Sequence, residues 1–227
     1  MFKLTRLCVY LFLAFITLTL LFIPNILSYA NSEVIYIDPG HGGYDGGCVG
    51  SKIVEKDLTL TISLKLKNYL ESIGYKVKLT RNKDIALDQI KAKDMKKRVS
   101  LINNSNTLLY ISIHANYFPS SNVFGGQVFY KDDPLNELLS KSIQKYFNDT
   151  GIGNKRNAKT ITDKYLTDNI YTNGCIVEVG FLSNNLEEKK LQDDNYQSLI
   201  AYAIYLGILN YLDSNYEVNY ETIENKN

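Results

Sequence analysis

The chain has 227 residues, 45% of them hydrophobic, and a formal net charge of +1 at pH 7. That balance offers no long-range field to attract nucleic acid, so no nucleic-acid partner is expected. It contains only two histidines and three cysteines, too few cysteines for a disulfide scaffold.

The N-terminus carries Lys3 and Arg6, then an apolar run over residues 7–23, then Pro24 and the small-residue pattern Ser28-Tyr29-Ala30. This is the layout of a secretory signal cleaved after residue 30. The competing reading is an N-terminal anchor, since the run approaches the roughly 20 residues that span a bilayer. Both predict export across the cytoplasmic membrane. Cys8 starts the apolar run, which is not the position of a lipoprotein acylation site. Removing Lys3 and Arg6 from 25 basic residues leaves 23 against 24 acidic, over 197 residues that suffice for one well-buried domain.

Residues 34–37, Val-Ile-Tyr-Ile, predict a buried strand. Asp38-Pro39-Gly40 stops it, because proline lacks an N–H and glycine permits positive φ. His41 follows at once, with glycines on both sides. Residues 56–73 carry Leu58, Ile62, Leu66, Tyr69, Leu70 and Ile73 at helical spacing, with Gly74 as the stop. Residues 75–80 alternate and read as a strand nearer the sheet edge. Residues 82–97 are highly charged and read as a solvated loop leading into a helix, with Val99, Leu101 and Ile102 as its buried face.

Residues 108–113 predict the next core strand, which delivers His114. A loop over residues 115–125, a strand over 126–130 and an amphipathic helix over 135–147 follow, the helix burying Leu135, Leu138, Leu139, Ile143, Tyr146 and Phe147. Residues 150–173 read as a loop with one short strand. Residues 175–179 predict a core strand containing Glu178, and Ser183-Asn184-Asn185 caps a short helix over 186–191. A last helix over 196–212 carries Leu199, Ile200, Ala203, Ile204, Ile208 and Tyr211. Residues 213–227 are polar and aperiodic and read as a disordered tail.

This alternation predicts a single α/β domain over residues 31–212, with a largely parallel twisted sheet and helices on both faces. Cys48 and Cys175 each lie beside a strand and read as free, buried thiols.

In such sheets functional groups gather beyond the carboxyl ends of the strands. His41, His114 and Glu178 fall there, and Glu55 closes the glycine-rich loop before the first helix. A carboxylate inside Ile-Val-Glu-Val-Gly-Phe is costly unless a cation, a donor or a catalytic task justifies it. Two histidines and one carboxylate with an open position suit a catalytic zinc ion, and a second carboxylate can carry the proton. The spacing is not a local H-E-x-x-H motif. The residues alone leave a plainer outcome open, with two hydrogen-bonded loop histidines and a glutamate paired to Lys or Arg.

Five blocks occur in order over residues 34–212: I-D-P-G-H-G-G-x-D-x-G, V-E-K, T-R-N-x-D, I-S-I-H-A-N and V-E-V-G-F-L-S-N. Together they resemble the zinc-dependent N-acetylmuramoyl-L-alanine amidases of the family-3 type. The resemblance implies one Zn2+ per chain held by His41, Glu55 and His114, with Glu178 as catalytic base and acid. It implies peptidoglycan as substrate and cleavage of the amide between the lactyl group of N-acetylmuramic acid and L-alanine of the stem peptide. With a leader and no cell-wall-binding repeats, the chain is also similar to the germination-specific amidases of endospore formers, which points to the spore cortex.

The chain departs from the family pattern in one region. Arg156-Asn157-Ala158-Lys159 stands where Arg-Gly-x-Lys is usual, and the later arginine before the last core strand is not evident, with Asp168 near its place. Arg156, Lys159 and Asn116 are the candidate substrate contacts, and the altered residues 165–173 suggest a partner protein that completes or activates the groove. Ser183 and Asn184 read as shaping the site. Asp38 and Asp45 read as loop braces through backbone hydrogen bonds, with Asp38 also placed to orient His41. Tyr117, Phe118 and Phe124 are candidates to stack on sugar or peptide. Two other functions fit the pattern less closely. A catalytically silent peptidoglycan-binding or partner-docking module would be expected to have lost one of His41, Glu55, His114 and Glu178. A zinc carboxypeptidase on the same polymer would release single amino acids.

Overall fold

The computed structural model describes residues 33–224; the leader expected over residues 1–30 lies outside them. The strands are β1 (Val34–Pro39), β2 (Lys76–Leu79), β3 (Thr107–Asn116), β4 (Gln127–Tyr130), β5 (Lys159–Thr160) and β6 (Gly174–Phe181). The helices are α1 (Glu55–Ser72), α2 (Lys91–Asn103), α3 (Pro134–Asp149), α4 (Tyr165–Asn169), α5 (Asn185–Leu191) and α6 (Asp194–Glu224). Sheet order is β2-β1-β3-β6-β4-β5. Strands β2, β1, β3 and β6 run parallel. Strand β4 joins β6 antiparallel, and β5 follows β4 in parallel. The expected α/β architecture forms, with β2 as an edge strand.

Side chains alternate across a strand, and here the alternation splits the core in two. Ile35 and Ile37 of β1, Leu109, Ile111 and Ile113 of β3, and Cys175, Val177 and Val179 of β6 belong to the larger cluster, with residues of α1, α3 and α6. Val34, Tyr36 and Tyr110 point the other way and pack with Val99 and Ile102 of α2 and Leu166 of α4. That second cover is thin, because its helices have only 13 and 5 residues. Following the same parity toward the carboxyl ends brings Asp38, Ser112, His114 and Glu178 onto the thinly covered face. The register pairs Asp38 with Ser112 and His114 with Glu178. The polar residues therefore begin where the apolar cover ends.

Several expectations need correction. Ile73 is 48% exposed because it caps α1 instead of lying inside it. Leu101 is 40% exposed: it sits between the stripe positions Val99 and Ile102, about 100° of rotation away from the second. Leu135, in the first turn of α3, is 38% exposed. The charged segment over residues 82–97 is not wholly solvated, since Asp94 is buried. Residues 150–173 contain α4 as well as the short β5. Helix α6 continues to Glu224, through most of the expected tail, and residues 213–224 contain no glycine or proline to stop it. Among the described residues no helix is long and apolar enough to cross a membrane. Cys48 and Cys175 are free thiols, Cys175 buried and Cys48 half-buried.

Helices α3 and α6 approach closely at Gly207, where an added Cβ would lie 2.5 Å from Ile143 Cα. Backbone cannot yield there as a flexible side chain would. Gly207→Ala is expected to lower unfolding stability by about 1–3 kcal/mol through overpacking, read as a lower urea midpoint at an unchanged m-value.

Candidate metal centre

Strand β1 ends in the turn that carries His41. Its φ is +62°, in the left-handed region that few residues other than glycine adopt without cost. Two buried arginines hold this backbone. Arg98 Nη1 donates to Pro39 O at 2.8 Å and Nη2 to His41 O at 2.6 Å. Arg81 Nε donates to Pro39 O at 3.1 Å, and its Nη2 to Gly40 O at 2.8 Å and Lys56 O at 2.7 Å. Three consecutive carbonyls that the sheet cannot satisfy are thus held by guanidinium groups.

The arginines need compensation of their own. Arg98 pairs with Asp38 Oδ1 at 2.7 Å and Asp94 Oδ2 at 2.6 Å. Burial works to lower the Arg98 pKa, but these carboxylates outweigh it and raise it. Burial and the neighbouring Arg98 push Arg81 down to about 10, so it stays protonated at neutral pH. Asp38 also accepts from Thr80 at 2.6 Å and Ser112 at 2.8 Å. Asp38 is therefore not a brace through backbone bonds. It reaches His41 only through Arg98.

Glu55, the first residue of α1, is where three elements meet. Its Oε1 lies 3.2 Å from His41 Nε2 and 2.9 Å from His114 Nδ1. Two backbone amides fix the carboxylate: Ala115 N donates to Oε1 at 3.0 Å and Cys48 N to Oε2 at 2.7 Å. The Ala115 amide points there at a register shift in the β3–β6 ladder between His114 and Asn116, the kind of irregularity that re-aims groups beside a site. Burial alone would raise the Glu55 pKa, but the hydrogen bonds from His114 and His41 dominate and hold it well below the usual carboxylate range. One ligand atom each from His41, Glu55 and His114 lies within 4.8 Å of the others. Two glycines make room. A Cβ on Gly40 would lie 2.4 Å from His114 Cε1, and one on Gly47, at φ +70°, would lie 2.5 Å from Glu55 Oε2.

Glu178 faces this corner from β6, across from His114. Its Oε2 is buried without a hydrogen-bond partner among the described residues. Burial, with a contribution from Glu55 and against the pull of His114, pushes its pKa up to about 7. A cavity of about 270 Å³ opens on this corner; its lining includes His41, His114, Glu178, Met95, Lys164 and Leu166. The donor set fits a tetrahedral ion of the zinc type: ligands at 2.0–2.1 Å from a common centre stand about 3.3 Å apart, close to the 3.2 and 2.9 Å seen here.

The other candidates fall elsewhere. Asn116 ends β3, and its Oδ1 accepts from Tyr117 N. Arg156 donates to Phe124 O at 2.8 Å and Gln127 Oε1 at 3.1 Å and lies over the Phe181 ring. Lys159 is exposed on β5. Neither cation lines the cavity beside the triad. Tyr117, Phe118 and Phe124 are exposed, as are the groups expected to meet sugar or peptide, but they too lie outside that lining. Asp45 does brace the loop, accepting from Gly47 N at 3.2 Å, and its Oδ2 is 3.1 Å from His41 Nδ1, out of line for a hydrogen bond.

Sequence reading missed two glutamates. Glu187 accepts from Gly125 N and Phe181 N. Glu188 accepts from Lys52 N, Ile53 N and Ser51 Oγ, tying the loop before Glu55 to α5. Their position just behind the Asn184 cap was the available signal.

Fold and site define an α/β enzyme domain with a corner where three side chains could hold a metal ion, faced by an unpartnered carboxylate oxygen. Residues 35–210 match the model of the N-acetylmuramoyl-L-alanine amidase family, and the chain belongs to that family. It is an N-acetylmuramoyl-L-alanine amidase, acting on peptidoglycan. Over 190 residues it is 42% identical to the germination-specific N-acetylmuramoyl-L-alanine amidase of Bacillus subtilis (strain 168), covering 80% of each protein. It also resembles the CwlD amidase of Clostridioides difficile, solved in complex with the GerS lipoprotein, at 38% identity and a TM-score of 0.77, covering 81% of this chain and 100% of that one. The catalytic domain of CwlV from Bacillus (Paenibacillus) polymyxa var. colistinus matches at 32% identity and a TM-score of 0.72, covering 80% and 98%.

Burial alone would raise the Asp38 pKa, but Arg98 and Thr80 outweigh it and hold it below the usual 3.8. A depressed native pKa stabilises fully above the unfolded value and progressively less as pH falls through the native one. Asp38→Asn is therefore expected to cost about 3–5 kcal/mol at pH 7, by leaving Arg98 under-compensated, and to lose this penalty as pH drops below about 4. Urea unfolding at both pH values checks both the size and the sign.

Proposed function

We propose that this amidase is zinc-dependent, holding one Zn2+ on His41, Glu55 and His114, and that Glu178 moves the proton as the lactyl–L-alanine amide is cut. The observation that carries this reading is the convergence of three ligand atoms opposite a carboxylate oxygen, Glu178 Oε2, that nothing else uses. When bound, zinc supplies a Lewis acid for the amide carbonyl and a water of low pKa. The chain's own groups do the rest. Arg81 and Arg98 hold the backbone at Gly40 and His41, two backbone amides hold the Glu55 carboxylate, and Glu55 in turn meets His114. Glu178 Oε2 takes the proton of the attacking water and returns it to the departing alanine nitrogen. Burial raises the affinity of Glu178 for a proton, which suits a group that must take one up and give it back. Met95 and Leu166 form an apolar wall that limits bulk water at the reacting bond.

Similarity to a germination-specific relative over 80% of both chains supports spore-cortex peptidoglycan as the substrate. That substrate lies outside the cytoplasmic membrane, which fits export directed by residues 1–30 and action in the cell wall or cortex. The C. difficile relative was solved with a lipoprotein, and this chain departs from the family pattern at Asn157 and over residues 165–173. These two points support a protein partner that completes or activates the site here as well. Full zinc content and full activity of the pure protein alone would overturn that part of the reading.

Incubating the purified enzyme with cortex peptidoglycan and identifying products by mass tests the central reaction. Intact stem peptides are expected; single released amino acids would indicate a carboxypeptidase, and no release in zinc-replete buffer, with or without cell extract, a binding module. Glu178→Gln should abolish cutting with zinc still bound at one per chain. His114→Ala should lose both.

A further inference from the structure

The charged groups that line the cavity beside the triad are nearly all paired. Arg98 is held between Asp38 and Asp94. Lys91 lies 3.3 Å from Asp45 Oδ2, and both histidines meet Glu55. Two formally charged side chains in the lining have no ion-pair partner among the described residues: Glu178 and the solvent-exposed Lys164. The proton transfer accounts for Glu178 and leaves Lys164 without a role.

Lys164 follows a tight bend in the chain. Asp163 before it has φ +60°, and Lys164 itself is the extended N-cap residue of α4, with φ −111° and ψ 112°. The conformation turns the chain so that Ile161, Lys164, Tyr165 and Leu166 form one cavity wall. Lys164 and Glu178 line the same cavity.

Glu178 returns its proton to the departing amine, so the departing peptide must lie beside Glu178. A peptide leaving past Glu178 through this cavity can pass Lys164. We propose that Lys164 binds a free carboxylate on the stem peptide, one or two residues beyond the alanine whose nitrogen is released. The subsite rests on the amidase reading above and makes the enzyme selective for acidic over amidated stem peptides. An ammonium supplies a point charge with three donors, enough to hold a carboxylate without fixing its plane. Because the contact exists both before and in the transition state, it acts on KM and leaves kcat nearly unchanged.

The test is a two-by-two comparison with soluble muramoyl peptides whose second residue carries either a carboxylate or a carboxamide. The enzyme and its Lys164→Met and Lys164→Arg variants are assayed on both. For the unmodified enzyme the carboxylate substrate is expected to have a KM about 3- to 30-fold lower than the amide, less than a buried charge-assisted hydrogen bond gives because Lys164 is solvent-exposed. Lys164→Met should remove that ratio, raising KM for the carboxylate only, and Lys164→Arg should retain most of it. Zinc content and thermal midpoint are measured alongside, so that a misfolded variant is recognised and the arginine variant carries the comparison instead. An unchanged KM ratio in folded Lys164→Met would overturn the subsite and leave the amidase reading intact. Failure of the unmodified, zinc-loaded enzyme to release peptide from either substrate would instead overturn the amidase reading.

Discussion

Two buried guanidinium groups hold the site together. A turn leaving a central strand exposes carbonyls that no neighbouring strand can reach, and here Arg81 and Arg98 take up those of Pro39, Gly40 and His41. Hydrogen bonds to a charged donor contribute roughly 1.5–3 kcal/mol each, enough to offset a left-handed His41. Arg81 also grips Lys56 O, in the first turn of α1, so the same cation sets Glu55 relative to His41. The third ligand enters through β3, whose irregular register gives Glu55 the Ala115 amide. Metal-binding geometry thus follows from how a buried turn satisfies its backbone.

The location of the site follows from sheet alternation. Three helices cover one face, and the core there is continuous. The other face has shorter helices and runs out of apolar cover toward the strand ends. Asp38, Ser112, His114 and Glu178 share that side by parity alone. Moving any of these residues by one position would turn it to the face packed by α1, α3 and α6.

Much of this was legible in the sequence. β-branched runs announced the core strands, and histidine scarcity left only two candidates for imidazole ligands. Glu178 stood out because a carboxylate inside an apolar strand has to be explained. The supporting cations were hidden for a physical reason: a buried, paired arginine and a solvated one look alike in one dimension. Arg98 lay at the end of a segment that reads as surface, and Arg156 reads as free although it is spent on Phe124 O, Gln127 and Phe181. Helix α4, with five residues, is too short to show a period. The two glutamates of α5 carried no pattern beyond an ordinary capped helix.

Ile161, Lys164, Tyr165 and Leu166 wall the cavity from one stretch of chain that, among the described residues, shares no hydrogen bond with Arg81, Arg98 or Glu55. The ligands, by contrast, come from three separate elements locked into each other. Chemistry and substrate choice are therefore written on different parts of the polypeptide. Drift in the wall can alter which stem peptides are accepted while the ligand corner stays intact, so one inherited catalytic frame can follow a changing cell wall.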